Sequence, residues 1–391
     1  MKKVFLFSLF LVLGLVLSQC LPVWLGEAFL TAEKVAKTLM FVCLAFIMIN
    51  VGREFELDKT KWRSYAADYF MATAAVPWII VAFYYIFLLP ADLFGNWDAW
   101  KENLLLSRFA APTSAGILFT MLAAAGLRRE WIYKKTQVLA IFDDLDTILL
   151  MIPLQIFMIG FKWQLFAVVI VITFLLVIGW KKLGTIRLSQ TWKSILFYAV
   201  CIVAVTESIY LLTKWMMGAD GAIHIEVLLP AFVLGMVMKT VHQHGNRDEK
   251  ITGMISYLFM FLVGLSTPQF IGIDHGHRIT EAVGIIAAQP MPSWEVLIVH
   301  VIVVTLLSNL GKMFPLFFYR DRQLEERLAL SVGMFTRGEV GAGIIVIAMG
   351  YNLGGPALII SVLSLVLNLL LTGGFVVIVK RLAQQAYGLK E

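Results

Sequence analysis

Apolar runs of close to 20 residues recur from one end of this chain to the other. A helix rises 1.5 Å per residue, so roughly 20 apolar residues cross the ~30 Å hydrocarbon layer of a bilayer. No water enters that layer, so each spanning segment must satisfy its own backbone N–H and C=O groups; runs of this length do so as helices. Twelve spans are expected, near 4–21, 36–52, 66–90, 103–126, 135–160, 163–180, 192–217, 222–241, 251–273, 294–319, 327–350 and 356–381. Composition agrees: 60% of residues are hydrophobic and 15% charged, where a soluble domain carries about 25% charged residues. The fold class is an all-α polytopic membrane protein with about 12 transmembrane helices, one membrane domain over residues 1–391, without a soluble domain, linker or low-complexity tract.

The net charge of +6 then reads as topology, and no nucleic-acid partner is expected. Of the 32 Lys and Arg residues, six (Lys34, Lys37, Lys101, Lys162, Lys214 and Arg278) fall on odd-numbered loops. Arg108, Lys312 and Arg337 fall inside spans, and all the others lie at the termini or on even-numbered loops. Basic loops stay on the cytoplasmic side, so both termini are expected there. The start, MKKVFLFSLFLVLGLVLSQC, imitates a lipoprotein signal, but Gln19 stands where a small residue should precede Cys20. It is read as span one. Cys20, Cys43 and Cys201 lie in or beside spans and read as packing residues.

Within span five, IFDDLD places Asp143, Asp144 and Asp146 near mid-bilayer. A charge at that depth costs several kcal/mol and normally faces a partner, a cavity or a transport path. At 100° per residue the three acids occupy neighbouring sectors, and like charges so close titrate as a coupled set. A carboxylate poised in this way can carry a proton; deprotonated, it is a hard oxygen ligand for a small cation. The alternative is that the acids simply pair with buried bases.

Two spans look interrupted. Pro112, Thr113, Ser114 and Gly116 sit in the middle of span four, and Thr336, Arg337, Gly338, Glu339, Gly341 and Gly343 in the middle of span eleven. Proline removes a helix hydrogen bond, and unwound backbone inside a membrane is tolerated where it lines a cavity. The two are the fourth members of two five-span units, about 4–160 and 222–381, joined by linking spans over about 163–217. That parity makes the units inverted repeats with discontinuous crossing helices 4 and 11, the architecture of secondary transporters.

On these residues the chain resembles a known family. APTSAGILFTMLAAAGLRREWIYKKTQVLAIFDDLDTILLMIP is similar to the fourth and fifth spans of monovalent cation:proton antiporters, where a Thr-Ser break precedes a paired-aspartate helix. FTRGEVGAGII resembles their Arg-Gly-Glu signature, NLGKMFP their Gly-Lys pair on the tenth span, and LPVWLGEAFL and MINVGREFEL their early segments. The resemblance implies that Asp144 binds cation and proton alternately, that Asp143 pairs with Lys312 when no cation is bound, and that Thr113 and Ser114 sit where the broken helices cross. It implies that Arg337 and Glu339 balance charge at the second break. It also implies an electrogenic exchanger, moving more protons than cations, assembled as a homodimer without cofactor in a bacterial inner membrane. Sodium is the expected cation, with lithium and potassium as alternatives.

Arg108 and Asp146 depart from the family pattern; they are additional site candidates, and as neighbours on adjacent antiparallel spans they are expected to pair. A sodium-coupled organic-anion symporter is the runner-up and would need Asn, Gln and carbonyl ligands. An intramembrane aspartyl protease would need its two acids on separate helices, and a channel would pass ions without protons. His242, His244, His275 and His277 form two loop His-x-His pairs that read as solvated, and no metal centre is expected. Glu207, near the middle of span seven, faces either an internal cavity or a dimer contact.

Overall fold

The computed structural model describes residues 2–25, 28–53, 75–113, 127, 130–159, 170, 173–175, 177–179, 181–182, 184–217, 227–238, 246–266, 284–351 and 353–388. Ser114, Gly116 and the four loop histidines lie outside these residues, as do the side chains of Asp144 and Glu339.

The described residues form helices α1 (Lys2–Leu25), α2 (Ala28–Arg53), α3 (Ala75–Phe87), α4 (Trp97–Ser107), α5 (Trp131–Ile159) and α6 (Trp192–Met217), followed by α7 (Leu228–Val237), α8 (Asn246–Leu265), α9 (Trp294–Gly311), α10 (Leu324–Gly333), α11 (Glu339–Gly350) and α12 (Gly355–Tyr387). Short 3-10 turns follow α4 at Arg108–Ala110 and α9 at Phe314–Phe317. Among the described residues, four segments are long and apolar enough to cross a membrane whole: Lys34–Arg53, Trp192–Trp215, Trp294–Phe317 and Gly355–Tyr387. Helices α6 and α9 turn Phe197, Leu211, Leu212, Ile298, Leu306 and Leu310 outward. Such apolar faces would aggregate in water and belong against lipid tails. The protein is an integral membrane protein.

Two helix pairs meet backbone to backbone. Helix α1 packs on α8 where Gly14 faces Gly264, and α2 packs on α7 where Gly52 faces Gly235. A Cβ at Gly264 would stand 2.2 Å from the Leu11 carbonyl oxygen, and one at Gly235 2.2 Å from that of Ile49. Small residues allow such approach, and helix association in a bilayer depends on it because burial from lipid supplies no hydrophobic gain. Beside these pairs, α3 packs on α4 and α9, α10 on α12 and α5, and α11 on the 3-10 turn after α4.

The structure moves several expected ends. Span four begins six residues early, because Asn96 caps α4 by accepting from the N–H groups of Asp98 and Ala99. Span eight stops at Val237; Met238 is extended and bridges Ile186, and Gly184 N–H donates to Met236 O. Span ten does not run as one helix to 319, since α9 ends at Gly311 with Lys312 as its cap. The Glu102 carboxylate accepts from Ile285 N (3.0 Å) and Ile286 N (2.8 Å). This ties α4 to the turn before α9.

Candidate functional site

The two expected breaks face each other. Helix α4 ends at Ser107 and its 3-10 turn at Ala110; α10 ends at Gly333, and α11 starts at Glu339. The second break is thus shorter than the sequence suggests. Gly341 and Gly343 lie inside α11, not in unwound chain. Gly341 is small because α11 packs there: a Cβ would be 3.1 Å from Phe109 O and 3.7 Å from Pro112 Cγ.

The contacts between the breaks are reciprocal. Thr113 Oγ1, at the first, donates to Met334 O at the second (3.1 Å). Arg337, at the second, donates through Nη1 to Pro112 O at the first and to Met334 O (both 3.3 Å). Its Nη2 donates to Ser308 O on α9 (3.2 Å). Helix C-termini leave carbonyl oxygens unpaired and carry partial negative charge. One guanidinium, itself 1% exposed, satisfies these oxygens from three chain segments and places a fixed positive charge where negative helix ends converge.

Helix α5 carries the acids. Asp143 and Lys312 are both fully buried, and Lys312 Nζ donates to Asp143 Oδ2 at 2.5 Å. The other carboxylate oxygen, Oδ1, is buried without a hydrogen-bond partner among the described residues. Lys312 gets its position from the end of α9, where its ammonium, like any cation, is favoured by the helix dipole. Asp144 follows Asp143 on the same helix.

Arg108 and Asp146 are also brought together. Arg108 is fully buried; its Nη2 donates to the Asp146 main-chain oxygen (2.8 Å) and lies 3.4 Å from Asp146 Oδ2. The Asp146 side chain is 13% exposed. Sequence reasoning missed what holds this pair: the guanidinium carbon stacks 4.5 Å from the centre of the Trp78 ring, whose Nε1 donates to Leu104 O (2.7 Å). It also missed Asn368, whose amide donates to Asn309 Oδ1 (2.9 Å). Ser361, Ser364, Asn368 and Thr372 recur at intervals of three and four along an apolar helix, and that spacing was a readable sign of a polar seam.

Asp143 and Asp146 share one helix, and each faces its own base. Among the described residues no cluster of His, Cys, Asp or Glu is arranged to hold a resident metal.

Comparison with known proteins converges on one group. No curated protein matches the sequence. The fold is similar to that of the sodium proton antiporter MjNhaP1 from Methanocaldococcus jannaschii, with a TM-score of 0.58 at 13% identity over 95% of this chain and 91% of that one. The family model described as "Sodium/hydrogen exchanger, transmembrane" matches residues 2–381. This chain belongs to the sodium/hydrogen exchanger family, membrane antiporters that trade a monovalent cation for protons.

Proposed function

We propose that the protein is an electrogenic exchanger of protons for sodium, with Asp144 as the carboxylate that holds cation and proton in turn. The observation that carries this reading is the fully buried Asp143–Lys312 pair. A lone carboxylate at that depth would be too costly to keep charged, and the ammonium makes its charge tolerable while the site lacks a cation. When a cation enters, Asp144 releases its proton and Asp143 turns to the ion. Lys312, now without its partner, gives up a proton in turn. Two protons then leave for each cation, so net charge moves. Thr113 and Ser114 line the crossing, and Arg337 and Glu339 balance its charge.

Alternating access follows from two inverted repeats over about 4–160 and 222–381, linked by 163–217. A repeat that maps the first span onto the eighth and the second onto the ninth turns the α1–α8 contact into the α7–α2 contact. The two glycine pairs fit that exchange, as do the reciprocal bonds of Thr113 and Arg337. The asymmetry of basic residues supports cytoplasmic termini. Assembly as a homodimer in a bacterial inner membrane belongs to the same reading.

Proteoliposomes carrying a pH gradient test it. Addition of sodium should dissipate the gradient, and faster when membrane voltage is clamped at zero than when it is free. Asp144→Asn should abolish the response; wild-type rates in that variant would overturn the assignment. Parallel additions of lithium and potassium rank the cations.

A further inference from the structure

Arg108 raises a question that the exchange reaction does not answer. It is a permanent positive charge, fully buried, on the first broken helix and beside the helix that carries the transport acids. Asp143 lies three residues before Asp146, about 4.5 Å along the helix axis. An arginine side chain is long enough to cover that distance. Nothing can remove its charge, since a guanidinium does not deprotonate in a protein. Left to itself, Arg108 would compete with the transported cation for the same carboxylates.

Among the described residues, Asp146 and Trp78 hold it. Asp146 takes Nη2 through its main-chain oxygen and faces it with its carboxylate. Trp78 covers the guanidinium with its ring and is itself fixed by the bond from Nε1 to Leu104 O. The residue before it, Pro77, presses on the other cation's helix. A Cβ at Gly311, next to Lys312, would stand 2.5 Å from Pro77 Cα. The Pro77–Trp78 step of α3 therefore touches the supports of both buried cations. Lys312 is directed to Asp143, and Arg108 to Asp146.

We propose that Trp78 and Asp146 are positioning residues that sequester Arg108, so that the fixed guanidinium does not occupy the carboxylates where the cation binds. The inference rests on reading Asp143 and Asp144 as the exchange acids. It makes Asp146, the third acid of the cluster, a partner of Arg108 and not a cation ligand. Trp78 serves by its ring face, and a second aromatic residue can replace it.

Sodium-driven exchange by the full-length protein in proteoliposomes, measured at one pH across sodium concentrations, tests this. Releasing Arg108 with Asp146→Asn or Trp78→Leu should raise the sodium KM roughly tenfold while the rate at saturating sodium holds, the signature of competition at the site. Trp78→Phe should stay near the wild-type KM. The pairs Arg108→Gln/Asp146→Asn and Arg108→Gln/Trp78→Leu, which remove the competitor, should return KM to within about twofold of wild type.

A KM that remains high in the first pair would make Asp146 a cation ligand and overturn the proposal. So would single variants that lower the yield of folded protein without moving KM, since the contacts would then serve folding alone. Asp144→Asn measured in the same vesicles separates the two levels. Undiminished exchange there sinks the assignment of the acids, whereas its loss together with unmoved KM values in the Trp78 and Asp146 variants sinks only the sequestration of Arg108.

Discussion

Arg337 shows how one side chain can substitute for broken secondary structure. At the two breaks the carbonyl oxygens of Pro112 and Met334 lie beyond the ends of α4 and α10, and inside a membrane water is not available to pair with them. The guanidinium offers five donors in a rigid planar fork, and three of its contacts go to oxygens of three different segments. Lysine brings the same charge as a point with three rotating donors and cannot span that set. Each buried oxygen left unpaired costs about 1–3 kcal/mol. Arg337→Ala should therefore remove most folded protein, and Arg337→Lys should fold but melt several degrees below wild type. Thermal unfolding in detergent, followed by size-exclusion fluorescence, reads both. Equal stability of Arg337→Lys and wild type would mean that charge alone suffices and that the fork geometry is idle.

Helix packing rests on a different kind of residue. In α8, Gly264 and Gly253 look alike in sequence, yet only Gly264 meets a neighbour: a methyl there collides with backbone of α1, whereas one at Gly253 meets nothing within 4 Å. A backbone cannot step aside as the end of a flexible side chain can. Gly264→Ala should therefore cost a few kcal/mol by forcing α1 from α8, while Gly253→Ala should be neutral or stabilising by up to about 1 kcal/mol through helix propensity. Melting of the two variants in the same detergent distinguishes them, and a similar loss in both would refute the close contact. The pair also marks the limit of what the sequence discloses. Hydropathy and basic-residue asymmetry reveal spans because both depend on a segment's own composition. Pro112 and Arg337 betray the breaks because a proline and a charge are costly in an unbroken apolar helix. The need for a small residue at Gly311 and at Gly341 comes from Pro77 and Phe109, which belong to distant parts of the chain. Asp143, Asp144 and Lys312 are legible as charges out of place, and Trp78 is not, because one more aromatic residue near a membrane span carries no signal until its neighbour is known.

The arrangement of the whole protein links these details to transport through charge. Asp143 is matched by Lys312, Asp146 by Arg108, and Arg337 by carbonyl oxygens of the broken helices. With those charges matched, the role proposed for Asp144 makes its occupancy govern whether the site can cross the membrane's low-dielectric interior, and a site that holds either a proton or a cation crosses more readily than an empty, charged one. Competition for one site has a consequence that needs no membrane potential or vesicle. A ligand that binds only the folded protein raises its stability by RT ln(1 + [L]/Kd), about 2.7 kcal/mol at one hundred times Kd. Protons that occupy the same carboxylate raise the apparent Kd for sodium tenfold per pH unit below its titration, or more steeply where two protons must leave. Sodium should accordingly raise the melting temperature of the detergent-solubilised protein at alkaline pH, and the increment should shrink and vanish as the pH is lowered. In Asp144→Asn the sodium increment should be absent at every pH while the protein remains folded. A sodium increment independent of pH would separate cation binding from proton release, and the exchange would then have to be coupled at two sites instead of one.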